Sequence, residues 1–126
     1  MNRFVYAACL SLATATAAFA QAPGLSGSWE GEVTQIGPGT YRGGYAAKMT
    51  LSGATGKIDY PGLSCGGELR FYERRGQALA YRERLTYGVE RCINAGLVSV
   101  TPLEGGAIRW EWSMDSSASG TLQRSK

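Results

Sequence analysis

Apolar and polar residues alternate along this chain in short runs, and glycine, proline or asparagine ends each run. A period of two sends successive side chains to opposite faces of a strand, whereas a helix with one buried face needs a period near 3.6. No segment sustains the longer period, so the pattern predicts strands and turns throughout. The first strand is expected over Gly27 to Gln35, with Trp29, Gly31 and Val33 on one face and Glu30, Glu32 and Thr34 on the other. Gly37-Pro38-Gly39 closes it. The second covers Tyr45 to Leu51, with Tyr45, Ala47, Met49 and Leu51 inward. A short third, Lys57 to Tyr60, stops at Pro61-Gly62. The fourth, Glu68 to Arg74, turns Leu69 and Phe71 inward, and Arg75-Gly76-Gln77 makes a hairpin into the fifth, Ala78 to Tyr87. There Leu79, Tyr81, Leu85 and Tyr87 share a face. The sixth runs from Leu97 to Leu103, and the seventh from Ala107 to Met114, aligning Ile108, Trp110, Trp112 and Met114. The eighth covers Gly120 to Arg124. Eight short antiparallel strands fit a closed barrel or a sandwich, and a small all-β, up-and-down barrel is the expected fold. Three tryptophans and several tyrosines in the inward set favour an interior filled by side chains over a large cavity.

The first twenty residues follow a different rule. Arg3 supplies a positive start, Phe4 to Leu12 an apolar run, and Ala18-Phe19-Ala20 a small-residue cleavage site. Residues 1–20 therefore read as a signal peptide cut after Ala20, and 21–126 as one domain. The apolar run is too short to span about 30 Å of hydrocarbon, and no later segment is long enough, so the chain is not expected to cross a membrane. Twin arginines are absent, which points to the general export route and a periplasmic or secreted product. Removing twenty residues from 126 leaves 106, with one arginine fewer and every acid retained. Twelve bases against ten acids then give +2, too little to imply nucleic-acid binding. Cys9 leaves with the leader, and the remaining pair, Cys65 and Cys92, is expected to form a disulfide. It would close a loop of about 27 residues and stabilise the fold by roughly 3–4 kcal/mol.

Candidate chemistry is sparse. The chain has no histidine, which removes the commonest general base, zinc ligand and pH switch together. No C-x-x-C or third ligand accompanies the cysteines, so neither a metal nor a cofactor is expected. Glu68 and Glu83 could form a hydrolytic carboxylate pair, but nothing in the spacing singles them out, and no catalytic residue is assigned.

The chain resembles two groups of known barrels and exported domains. Gly27-Ser28-Trp29 at the first strand and Gly120-Thr121-Leu122-Gln123-Arg124 at the end resemble the calycin pattern of lipocalins and avidin-like proteins. That resemblance implies an arginine, Arg124, packed over Trp29 at the closed end of a barrel. The string from Tyr60 to Leu69 is similar to the Y-P-x-L-x-C-x-G-x-L motif of small bacterial exported domains. Some of these stand alone, and others form the extracytoplasmic ends of serine/threonine kinases. Trp29-Glu30-Gly31, the Tyr81–Gly88 segment followed by Cys92, and Trp110-Glu111-Trp112 extend the likeness over most of the mature chain. It implies an extracytoplasmic sensing or binding role. No kinase catalytic segment is present.

Two features stand out as candidate binding residues. Alternation turns Glu83 inward, where a carboxylate needs a partner such as an arginine or a tyrosine hydroxyl, or else marks the floor of a pocket. Arg70, Tyr72 and Arg74 on the fourth strand, with Arg82 and Arg84 on the fifth, form an outward basic stripe. Like charges across a sheet are unfavourable, so such a stripe fits contact with an anionic partner, unless it is a solvated edge-protecting face. The expected function is a non-enzymatic binding or sensing module of the bacterial cell envelope, meeting an anionic partner or small ligand through its surface and loops. The alternative is an exported inhibitor of a hydrolase such as a lysozyme or a protease. Ser117-Ala118-Ser119-Gly120 resembles a serine-glycine stretch of periplasmic lysozyme inhibitors.

Overall fold

A computed structural model describes residues 24–36 and 43–125. The expected signal peptide over 1–20 and the Gly37-Pro38-Gly39 turn lie outside them. Eight strands follow in chain order: β1 (Ser26–Ile36), β2 (Gly43–Ser52), β3 (Thr55–Tyr60), β4 (Cys65–Arg75), β5 (Ala78–Tyr87), β6 (Leu97–Pro102), β7 (Ile108–Ser113) and β8 (Ser117–Arg124). Each pairs antiparallel with the next, and β8 returns to β1, so the sheet is a closed barrel. Closure leaves no free sheet edge to pair with another chain.

Alternation sorts the side chains as the sequence requires. Trp29 and Val33 on β1, Tyr45, Ala47, Met49 and Leu51 on β2, Leu79 and Tyr81 on β5, and Trp110 and Trp112 on β7 all face the core. The interior is filled by these side chains, as their size demands. Two expected inward residues face out instead. Tyr87 is 46% exposed, because one extra residue of β5, Thr86, lies between the partners of Gly66 and Gly67, and this bulge ends the alternation. Met114 is 52% exposed, since β7 ends at Ser113 and Met114 belongs to the turn beyond it. β4 also starts earlier than the glycines at 66 and 67 implied, because both sit in register opposite β3.

One end of the barrel is shut. The Arg124 guanidinium lies 4.9 Å from the Trp29 ring centre and donates to the Ser26 carbonyl at 3.0 Å. Trp29 Nε1 donates to the Gly106 carbonyl at 2.8 Å. Gly27 makes this crossing feasible: its φ is +146°, and a Cβ there would stand 2.8 Å from the guanidinium carbon. Replacing Arg124 by alanine is expected to cost about 1 kcal/mol, read by urea unfolding. A change indistinguishable from zero would mean that Arg124 merely rests on the surface.

Candidate functional site

The barrel end opposite Trp29 is built differently. It receives the last residues of β1, β3, β5 and β7 and the first of β2 and β4. A pocket of about 200 Å³ opens there. Its floor is Glu83, only 3% exposed. Tyr60 donates its hydroxyl to Glu83 Oε2 at 2.5 Å, and Trp112 Nε1 donates to Oε1 at 3.0 Å. Of the partners expected for Glu83, the tyrosine is present, and an indole takes the place of the arginine. Burial pushes the Glu83 carboxyl above the usual carboxylate range, while the hydrogen bonds from Tyr60 and Trp112 pull it part of the way back. Burial, reinforced by Glu83, holds the Tyr60 hydroxyl well above the ordinary tyrosine range, so it stays a donor.

The segment between β5 and β6 borders this mouth and is tied to the barrel. Cys92 is bonded to Cys65, Glu83 N–H donates to the Gly96 carbonyl at 2.9 Å, and Leu85 N–H donates to Asn94 Oδ1 at 2.8 Å. Gly96 passes so close to Trp112 that a Cβ would lie 2.0 Å from the indole nitrogen. The indole can therefore turn toward Glu83 only beside a residue without a side chain. Tyr45, Leu63, Leu85 and Ile93 form the pocket wall, and Gln35 and Arg91 also line it. Tyr45 donates to Gln35 Oε1 at 3.0 Å and stands edge-on to Tyr60 with ring centres 5.8 Å apart.

The arginine stripe lies on the outside of the same wall. Register places Thr55, Arg70 and Arg82 in one row across β3, β4 and β5. The Arg82 guanidinium stacks 4.0 Å over the Tyr72 ring. Arg84 pairs with Glu68 at 2.7 Å. Among the described residues neither Arg70 nor Arg82 has an acidic partner. Both line an open groove of about 790 Å³ together with Arg84, Lys57 and the hydroxyls of Thr50, Ser52 and Thr55; Glu68, paired to Arg84, and Glu83, turned inward, also border it. Arg74 leaves the stripe. A bulge at Tyr72 shifts the register, so Arg74 stands opposite the inward-facing Leu79.

No known protein family, curated protein or solved structure matches this chain. What the two sites can do rests on their own chemistry. Glu68 is exposed on the outer face and Glu83 is buried inside, although both border the groove. Ser117-Ala118-Ser119-Gly120 lies within β8, paired to β7 and, at Ser117 to Ser119, to β1, rather than in a loop. Among the described residues no cluster of three or more acidic or cysteine side chains could hold a metal ion, and no helix is long and apolar enough to cross a membrane. Tyr45, Tyr60, Arg91 and Trp112 were not singled out as site residues by the sequence. Their one signal was Glu83 itself, whose inward parity demanded donors from somewhere.

Proposed function

We propose that this chain is an exported, non-enzymatic binding module of the bacterial cell envelope, holding an anionic envelope polymer in the groove on the outer face of β4 and β5. One observation carries this reading: Arg70 and Arg82 stand directly opposite each other with no acid paired to either among the described residues. Directly opposed like charges destabilise a sheet, and an anion bridging them reverses the sign of that contribution. Stacking on Tyr72 holds one guanidinium flat, with its donors free to take a phosphate or carboxylate in two bonds. The neighbouring hydroxyls supply further donors to the same oxygens. The leader-like first twenty residues, the disulfide and the resemblance to extracytoplasmic sensor domains support an envelope location.

The test is cosedimentation with isolated cell-envelope fragments over a salt series. The protein should bind at low salt and dissociate as salt rises. Arg70→Glu with Arg82→Glu should weaken binding by roughly a hundredfold, about 1.4 kcal/mol for each lost contact. Arg109→Glu, on β7 away from the groove, should change it little. Equal loss from both variants would reduce the effect to net charge and overturn the assignment.

A further inference from the structure

We propose that the mouth pocket is a second binding site, taking a primary alkylammonium group whose nitrogen approaches Glu83 and whose carbon chain lies along the pocket wall. Among the described residues no lysine or arginine forms an ion pair with Glu83. Its two oxygens each take one neutral donor, Tyr60 and Trp112. An ionised carboxylate has about four acceptor positions, so two remain for a ligand. A buried carboxylate without a cation is costly, and the missing charge is what an entering ammonium supplies. Arg91, which also lines the pocket, is occupied elsewhere: it pairs with Glu90 at 3.1 Å and donates to the Ser64 carbonyl at 3.3 Å.

The walls fit the same ligand. Tyr45, Tyr60 and Trp112 line the pocket, and aromatic faces attract cations. Leu63, Leu85 and Ile93 offer an apolar surface to a carbon chain. The volume of about 200 Å³ suits a group of a few heavy atoms, since a cavity of roughly 150 Å³ accepts benzene. Chemistry excludes the neighbouring classes. An anion would meet the carboxylate, a quaternary ammonium has no N–H for the open acceptor positions, and an alcohol leaves the charge unpaired. Among the described residues, the titratable groups lining the pocket with Glu83 are Tyr45 and Tyr60, and Arg91 is the one permanently charged base. Glu83 borders both this pocket and the arginine groove, but its carboxylate is turned inward to Tyr60 and Trp112, whereas Arg82 and Arg84 point outward from β5.

The experiment titrates the purified protein with n-butylammonium chloride at constant ionic strength, following the Trp112 indole N–H signal by NMR. n-Butanol and sodium butyrate serve as matched neutral and anionic probes. Saturable binding of butylammonium, roughly tenfold or more tighter than butanol, is the expected result. Glu83→Gln, which keeps the volume and removes the charge, should weaken it by roughly tenfold. Tyr45→Leu, which leaves the carboxyl in place, should weaken it severalfold, and it serves if the glutamine variant fails to fold. Phosphoethanolamine and acetylated lysine amide, titrated in parallel, separate a lipid headgroup from a lysyl side chain as the source of the ammonium. Butanol binding as tightly as butylammonium, or butylammonium binding indifferent to both variants, overturns the proposal.

Discussion

A Cys65→Ala/Cys92→Ala double variant is expected to lose about 3.5 kcal/mol of unfolding free energy. The bond joins residues 27 apart, and the chain-entropy relation for a loop of that length yields this figure. For a domain near one hundred residues the melting temperature should fall by roughly 15 °C or more. The loss has a location as well as a size. Besides the bond, the segment between β5 and β6 is held by hydrogen bonds from Glu83 N–H to Gly96, from Leu85 N–H to Asn94 and from the exposed Arg91 guanidinium to the Ser64 carbonyl. Without the disulfide, residues 88–92 keep only the exposed Arg91 side-chain tie to the barrel and should exchange amide hydrogens first. A reducing agent should produce the same shift in the parent protein and none in the double variant. A loss under 1 kcal/mol, or uniform exchange across the barrel, would show that the bond adds nothing to a mouth already fixed by its backbone ties.

The pattern of eight strands was legible because each strand is half of an alternating pair of faces, and a closed barrel must bury one of them. Trp29, Val33, Tyr81 and Trp110 could be placed inside on parity alone, and so could Glu83. Parity fails wherever a residue is inserted without a partner. The bulges beside Gly66 and at Tyr72 sent Tyr87 outward and took Arg74 out of its stripe, and no local residue preference marks either one. The site was less legible than the fold for a related reason. Tyr60 lies 23 residues before Glu83, and Trp112 lies 29 after it. Which inward side chains share a level depends on how far the strands slide past one another as the barrel closes. Sequence alternation carries no record of that stagger. The Arg70–Arg82 pairing was within reach because a single short hairpin, turning at Gly76, sets it.

Replacing Glu83 by alanine is expected to cost about 3–5 kcal/mol, while replacing it by glutamine should cost little and should change the pH dependence of stability. Alanine leaves the Tyr60 hydroxyl and the Trp112 N–H buried without an acceptor, at about 1–3 kcal/mol each, and adds a small void. Glutamine keeps an acceptor and the side-chain volume. The pH argument turns on the direction of the shift. Burial raises the folded-state affinity of Glu83 for its proton above that of the unfolded chain. The folded state then binds more protons than the unfolded state over the window between the two values, and stability falls as pH rises through it. The contribution from Glu83 is therefore fully present below the ordinary carboxylate value of about 4.3 and is lost above it, levelling off once the folded group has ionised. Within that window the slope approaches about 1.4 kcal/mol per pH unit. Urea unfolding of the parent protein and the glutamine variant from pH 4 to pH 8 isolates this group, since every other titration is common to both. The difference curve should slope in favour of the glutamine variant as pH rises, then flatten. Adding butylammonium should reduce that slope in the parent alone, because a bound cation offsets the buried charge that produces it. Parallel curves would mean that the Tyr60 and Trp112 hydrogen bonds compensate the carboxylate in full, leaving no unbalanced charge for a ligand to meet.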